Sequence, residues 1–270
     1  PYHYVRLQND EDDPAYELLI VGGEDHKTGQ DSNPTENYAR LERWMRNHFK
    51  EAKEVVYQWS GQVMEPVDGL AYLGHNPMDR DNVYIITGDS GNGMTHCTIG
   101  GMLITDQVMK RANAWEKLYH PSRVSLRATG EYLKENANVA AQYSDWIRED
   151  SLDDLNDIPV GEGAVFRKGV KIVAAYRNTQ NEMEFMSASC PHLGAIVRWN
   201  TAEKSWDCPC HGSRFDGSGT VIEGPASSNL KKLGSKSKDK DGDPIPIEDP
   251  KPTPKPDRMK AMDLHWSSKP

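Results

Sequence analysis

Apolar and polar positions follow two different rhythms along this chain. Near the start, Tyr2 to Leu7 and Glu17 to Val21 have the residue types of strands and are joined across the acidic turn Asn9 to Pro14, so a hairpin is predicted. Asn33 is placed to cap a helix, with Pro34 at its first position and Glu36 at its third. Tyr38, Leu41, Met45 and Phe49 then recur at helical spacing, which predicts a helix running to about Ala52. Val55 to Trp59 and Leu70 to Leu73 are further strand candidates, and Val83 to Thr87 is a short apolar run of the kind that sits inside a sheet. That run ends in Gly88-Asp-Ser-Gly-Asn-Gly93. A helix is predicted to follow from about Met94 to Met109, with Ile99, Met102, Leu103 and Val108 as its apolar positions. Leu126 to Ile147 reads as another helix, interrupted near Gly130, that bridges to the next region.

From Ile158 to Leu233 the rhythm changes to short β segments: Ala164 to Arg167, Lys171 to Tyr176, Glu184 to Ser187, Ile196 to Trp199 and Gly219 to Ile222, separated by Gly and Asn turns. Beyond Gly234 Lys, Asp and Pro dominate, ending in Pro250-Lys-Pro-Thr-Pro-Lys-Pro256, a composition that buries too little apolar surface to fold. The predicted class is α+β, in four regions: a mixed-sheet region with helices over 1–125, a helical linker over 126–157, an all-β domain over 158–233 and a disordered tail over 234–270.

Composition narrows the partners. The chain has 270 residues, a net charge of −9 and 36% hydrophobic content, enough for one large core or two modest ones. The acidic balance argues against a nucleic-acid or anionic-membrane surface, since phosphates attract basic patches and none of size occurs outside the tail. No run approaches the roughly 20 apolar residues of a membrane span; the longest candidate, Ile99 to Val108, contains Asp106. A cytoplasmic location is expected. The first residue is Pro1, and the sequence enters directly into a strand, which reads as a fragment or a processed chain.

The four cysteines are not spread like a disulfide framework: Cys190, Cys208 and Cys210 lie together and Cys97 far away. Cys190-Pro-His192-Leu-Gly194 is followed, after the fifteen residues 193–207, by Cys208-Pro-Cys210-His211-Gly-Ser213. Clustered Cys and His point to metal. Two thiolates suit one iron and two imidazoles the other, each segment supplying one of each. A zinc site with two Cys and two His uses the same residue types, but such sites usually pair Cys with Cys and His with His along the chain, and here the order is interleaved.

These two segments, with Arg214-Phe-Asp216, Gly217, Gly219 and Gly224-Pro-Ala226, closely resemble the cluster loops and proline loop of Rieske proteins over roughly residues 158 to 230. The resemblance implies a [2Fe–2S] cluster on Cys190, His192, Cys208 and His211, three antiparallel sheets, and a cluster at an exposed tip with the second nitrogen of each imidazole facing solvent. Two departures bear on the potential. Where high-potential members have a cysteine that pairs with the counterpart of Cys210, this chain has Ala195. Where they have a tyrosine donor near a ligand sulfur, it has Phe215. Ser213 is retained as a donor. Hydrogen bonds to sulfur stabilise the reduced cluster, so fewer of them imply a potential in the lower part of the Rieske range.

The first region carries a second resemblance. Trp59 to Gly74, Trp-Ser-Gly-Gln-Val-Met-Glu-Pro-Val-Asp-Gly-Leu-Ala-Tyr-Leu-Gly, followed by Asn82 to His96 with its glycine turn, is similar to the C-terminal part of the D-amino-acid oxidase family of FAD-dependent oxidoreductases, over residues 1 to about 120. The resemblance makes this region a partial flavoprotein oxidoreductase. In that family the glycine turn and the following helix N-terminus face the flavin ring, where N–H groups stabilise negative charge. Gly91, Asn92, Gly93, Met94 and Thr95 are the positions it assigns. A tight structural turn needs the same glycines. The dinucleotide fingerprint G-x-G-x-x-G, which belongs to the family's N-terminal half, is absent from this chain, so these residues alone are expected to bind FAD poorly.

Other positions read as structural. His26 could approach a substrate but better fits a solvated loop, His96 and Cys97 fit packing on the first turn of the helix better than ligation, Trp59 either walls a flavin pocket or fills the core, and Glu149 to Asp157 fits a solvated linker. Together the resemblances imply an FAD-dependent enzyme that oxidises a small amine or amino acid and passes single electrons through the cluster to a redox partner protein or small acceptor. A plain electron carrier whose first half is a docking or scaffold module is the alternative. A Rieske oxygenase component would need a two-His, one-carboxylate iron site on a larger domain, and no convincing one is present. For this chain alone, electron transfer is the expected activity.

Overall fold

The computed structural model describes residues 2–11, 13–124, 129–147 and 155–233, so the predicted disordered tail, 234–270, lies outside the described residues. The opening hairpin forms as the alternation predicts. Strand β1 (His3–Asn9) pairs antiparallel with β2 (Glu17–Gly23), Leu7 opposite Leu19, and both run two residues further than expected. Helix α1 (Pro34–His48) packs Trp44 against the hairpin, its ring stacked 4.2 Å from His3 and 4.3 Å from His48. The helix stops at His48, short of Ala52, because the chain turns at Phe49, whose N–H bonds back to the Met45 carbonyl at 2.8 Å. Asn33 occupies the N-cap position but makes no side-chain capping bond; its own N–H donates to Asp31 Oδ1 at 2.8 Å.

The predicted strand at Val55 to Trp59 does not form. The segment finds no partner strand among the described residues, and Val55, Val56, Tyr57 and Trp59 are exposed. Strand β3 (Tyr72–His75) starts two residues later than expected and pairs with β4 (Tyr84–Thr87), Leu73 opposite Ile86. Helix α2 (Gly93–Val108) lies against this pair, burying Leu103 and setting Gly100 beside Ile86 and Leu73. The short helix α3 (Glu116–Tyr119) leads to Arg123, which grips both Asp68 carboxylate oxygens at 2.7 Å, donates to the Ala71 carbonyl and stacks over the Tyr72 ring. That arginine fastens the end of the first half to the start of β3. Its hydrogen bonds hold the Asp68 carboxyl below the usual carboxylate range.

Helix α4 (Thr129–Gln142) continues as a 3-10 helix over Tyr143–Ile147. The predicted start of this helix at Leu126 lies outside the described residues, and from Thr129 it is continuous. The second half is antiparallel β. Strands β5 (Gly163–Lys168), β6 (Lys171–Arg177) and β7 (Met183–Ser187) form one sheet, and β8 (Arg198–Asn200), β9 (Ser205–Asp207), β10 (Arg214–Asp216) and β11 (Val221–Glu223) form another in the order β11-β10-β9-β8. Residues 155–233 thus hold two sheets where the resemblance implies three, with isolated bridges at Ser189–Ile196 and Met186–Lys232. Strands β9 and β10 were not expected, since three residues are too few for alternation to register. The predicted strands at Ile196 and Gly219 each begin two residues later, at Arg198 and Val221.

Alternation along β6 builds two cores from one strand. Ile172 and Ala174 face a cluster with Trp206, Phe215, Met186 and Val197, while Val173 and Ala175 face Ile158, Phe185 and Leu233. Each large apolar side chain buried in this way stabilises the fold by about 1.5–3 kcal/mol. The first of these cores also holds Cys190 and Cys208, so the packing fixes where the two cysteine loops begin.

Candidate metal centre

The two cysteine segments fold into loops closed by the same pair of main-chain bonds. In the first, Cys190 N–H bonds to the Ala195 carbonyl and Gly194 N–H to the Cys190 carbonyl, both at 2.8 Å. In the second, Cys208 N–H bonds to the Ser213 carbonyl at 2.8 Å and Gly212 N–H to the Cys208 carbonyl at 3.0 Å. The glycine four residues after each cysteine has φ near +80°, +81° at Gly194 and +80° at Gly212, a conformation that disfavours other residues. The two loops are therefore near copies, with the histidine two residues after the cysteine in one and three after it in the other.

These closures bring the four expected ligands together as two pairs. The Cys190 and Cys208 side chains are buried and hydrogen-bonded to each other, and the His192 and His211 rings meet edge to face with centroids 4.9 Å apart. Among the described residues no three His, Cys, Asp or Glu side chains converge as a single ion would require. A thiol pair beside an imidazole pair is the donor set of a two-iron group with one pair per iron. His192 Nδ1 is buried and has no hydrogen-bond partner, the condition of a nitrogen left for a metal. The residues present therefore fit a [2Fe–2S] cluster.

Electrostatics at the sulfurs agree. The bond from Cys208 brings the Cys190 thiol down to about 6, helped by the His192 N–H and the Ser213 hydroxyl, while Cys208 is pushed up by the same shared proton and by burial. The main-chain N–H groups of Cys210 and His211 work against that rise. Ser213 Oγ accepts from Ala226 N–H at 3.0 Å, which leaves its hydrogen for Cys190. Burial and the neighbouring His192 push His211 below its ordinary value. Phe215 is fully buried in β10 and brings no donor; Cys210 is a free thiol, its sulfur 3.7 Å from the Val139 carbonyl.

The expected exposed tip is only partly exposed. Leu193 is 59% exposed, but both imidazoles are half-buried, and the second loop lies beneath the first half of the chain. Gln30 Nε2 donates to the Pro209 carbonyl at 2.7 Å, Gln62 Nε2 to the Gly212 carbonyl, and Arg214 to Ser60 Oγ at 3.0 Å. The linker covers the first loop: Tyr143 donates to the Leu193 carbonyl at 2.7 Å and Trp146 to the Gly194 carbonyl at 2.9 Å. Arg198, ion-paired with Asp145 at 2.7 Å, donates to the Gly29 carbonyl at 3.1 Å. Sequence reasoning found none of these supporting residues, because isolated Gln, Tyr and Trp carry no pattern until the fold sets them against the loops.

The glycine turn predicted to face a flavin is placed at the start of α2. Ser90 and Gly91 have φ of +51° and +75°, Asn92 caps the helix through its main chain, and Gly91, Asn92, Met94 and Thr95 are exposed while Gly93 is half-buried. His96, as expected, is packed: it is buried and its Nδ1 lies 3.0 Å from the Asp89 carbonyl. Cys97 is exposed rather than packed. Trp59 fills no core and is 63% exposed. His26 is exposed, as a solvated loop requires.

Fold and loops define a class, and the comparisons agree with it. Residues 147–234 match the Rieske [2Fe-2S] domain family and residues 1–107 the family described as FAD dependent oxidoreductase. The chain carries a Rieske [2Fe–2S] domain, with the cluster that domain implies, behind a segment of the FAD-dependent oxidoreductase family, which implies FAD. Among individual relatives, the Rieske 2Fe-2S iron-sulfur protein YhfW of Bacillus subtilis (strain 168) is 33% identical over 217 residues, covering 80% of this chain and 42% of that protein. The chain thus spans less than half the length of this relative. The cytochrome b6-f complex iron-sulfur subunit 1 of Nostoc sp. (strain PCC 7120) is 51% identical over 45 residues, 17% of this chain and 25% of that one. Among solved structures, the plasma membrane Rieske protein PetC3 of Synechocystis PCC 6803 is 27% identical over 27% of this chain and 74% of its own, with a TM-score of 0.25. No helix among the described residues is long and apolar enough to cross a membrane.

Proposed function

We propose that this chain relays single electrons from a flavin on its first half to an external acceptor, through a [2Fe–2S] cluster held by Cys190, His192, Cys208 and His211. One observation carries the reading: a single extended segment touches both sites. The Met64 carbonyl accepts from Ser90 N–H at 3.3 Å in the glycine turn, and Val63 lies beside Gly91. Two residues back, Gln62 donates to the Gly212 carbonyl, next to His211. At about 3.3–3.6 Å of reach per residue, Gln62 and Met64 span roughly 7 Å, so the turn and the cluster loop are bridged by a very short length of chain.

Bound flavin supplies two-electron oxidation, and the cluster supplies one-electron capacity. Gly91, Asn92, Gly93, Met94 and Thr95, all exposed except Gly93, would meet the flavin ring with the positive end of α2. The substrate we assign is a small amine or amino acid, and the acceptor a redox protein or small molecule. The exposed apolar side chains of the first half, among them Val56, Trp59, Val63 and Met94, are the surface a nucleotide-binding half covers. Free cysteines, including exposed Cys97, suit the reducing cytoplasm.

The test is anaerobic. These 270 residues are expected to take up little FAD, whereas protein that also carries the nucleotide-binding half takes it up. Adding amines or amino acids to that flavin-loaded protein should make the paramagnetic signal of the reduced cluster appear. Bleaching of the flavin with the cluster still oxidised would refute the relay, and a yellow preparation of the present chain would refute the division of the flavin site.

A further inference from the structure

The end of the linker touches both cluster loops, and it does so with one face. Asn138, Val139, Gln142, Tyr143 and Trp146 recur at helical spacing where α4 runs into the 3-10 helix. At the second loop, the Cys210 sulfur lies 3.7 Å from the Val139 carbonyl, and Asn138 holds Gln30, which donates to the Pro209 carbonyl at 2.7 Å. At the first loop, Tyr143 donates to the Leu193 carbonyl at 2.7 Å and Trp146 to the Gly194 carbonyl at 2.9 Å. Residues three apart in a 3-10 helix eclipse, so these two side chains stand one above the other and meet successive carbonyls. Arg198, between the two loops in sequence, anchors the segment by donating to Gln142 at 2.9 Å and to Asp145 at 2.7 Å.

How firmly this segment is held follows from what it buries. No residue of α4 or of the 3-10 helix is buried, and the Leu193 side chain stands open to solvent. Hydrogen bonds more than apolar packing therefore join the linker to the first loop, whereas Cys190 and Cys208 are rooted in a sealed core. Segments with little buried apolar surface open locally far more often than a core unfolds. The two bonded carbonyls belong to the peptides on either side of Gly194, whose N–H closes the loop onto the Cys190 carbonyl at 2.8 Å. Opening at Tyr143 and Trp146 thus frees the turn that carries His192.

We propose that residues 138–146 are a strap across the two cluster loops, in which Tyr143 and Trp146 are positioning residues that keep the His192 loop shut, so that iron leaves the centre only when their hydrogen bonds open. The proposal rests on the cluster ligands assigned above. Both residues precede residue 147, where the match to the Rieske domain family begins. Retention of the cluster is therefore a property of the linker as well as of the Rieske domain.

Release of iron to EDTA from the cluster-loaded 270-residue chain tests it. The chelator takes iron from the cysteine and histidine side chains, inorganic sulfide leaves as hydrogen sulfide with protons from water, and no electron is transferred. Tyr143→Phe and Trp146→Phe each remove one donor and keep an aromatic ring. Loss of one such bond should raise the open population, and with it the release rate, about two- to tenfold, and the double variant should be faster than either. Deuterium exchange of the main chain should quicken over residues 190–195 and stay unchanged over 208–213, where Gln30 and Gln62 hold the second loop. Thr201→Val, which removes a hydrogen bond to Glu162 away from both loops, should match the wild type. Release at the wild-type rate in the double variant, or equal acceleration in Thr201→Val, overturns the proposal, the second because it signals general loosening. If the variants take up no cluster, deuterium exchange of the metal-free chains is read instead: quickening confined to 190–195 supports the strap and its absence overturns it. Wild-type chain with zinc and no inorganic sulfide overturns this proposal together with the ligand assignment, an outcome separate from full clusters released at an unchanged rate.

Discussion

The two halves of the chain differ most in what they bury. In the Rieske half, Trp206, Phe215, Met186 and Val197 are sealed in a core that also contains Cys190 and Cys208. Among the described residues up to 124 the buried apolar side chains are Pro34, Met45, Ala71, Leu73 and Leu103, while Tyr57, Trp59, Val63 and Met94 lie in the open. Net charge and overall hydrophobic content do not reveal this contrast. A domain of short hairpins closes on itself, because each strand pairs with the next and alternation turns one side of each strand inward. The oxidoreductase half has two-stranded sheets with apolar surface left over, and a two-stranded hairpin is marginal alone. Stability in this molecule is therefore concentrated around the cluster, and the first half depends on what is packed against it, including the cluster loops.

The largest expected effect breaks the Rieske half at its ligands. His211→Ala should nearly abolish bound iron and selectively destabilise residues 158–233, because ligand bonds there are also folding bonds; metal analysis with hydrogen exchange checks both. Next, truncation should separate the two halves. Trp206→Ala opens a cavity in a fully buried site and should cost about 3–5 kcal/mol in denaturant unfolding, whereas Trp59→Ala should stay within about 0.5 kcal/mol. Equal losses would erase the contrast. An effect smaller than that of Trp206→Ala belongs to the first half's own fastening. Asp68→Asn breaks the two-bond grip of Arg123 and should cost about 1–3 kcal/mol. Since Asp68 titrates below its unfolded value, that stabilisation is full above about pH 4 and is lost as pH falls through the lowered value, which acid titration of the wild type against Asp68→Asn would show.

Legibility in the sequence also divides between the halves. The two cysteine loops were readable because their pattern is local: cysteine, histidine and the glycine four positions on belong to one turn. The hairpin, α1 and α2 were readable from periodicity. Val55 to Trp59 misled because β-branched and aromatic residues mark a strand only when a neighbour exists to pair with. Strands β9 and β10 were hidden by their length. The support of the loops by Gln30, Gln62, Tyr143 and Trp146 was illegible for a different reason: these contacts join residues far apart in the chain and depend on two halves docking.

The most direct test of the account is the metal and its spectrum in the same sample of the full chain. Two irons and two inorganic sulfides per chain are expected, and on reduction a paramagnetic signal coupled to two imidazole nitrogens that disappears in His192→Ala and His211→Ala. One zinc per chain with no sulfide, or a [2Fe–2S] signal that survives loss of both histidines, would contradict it.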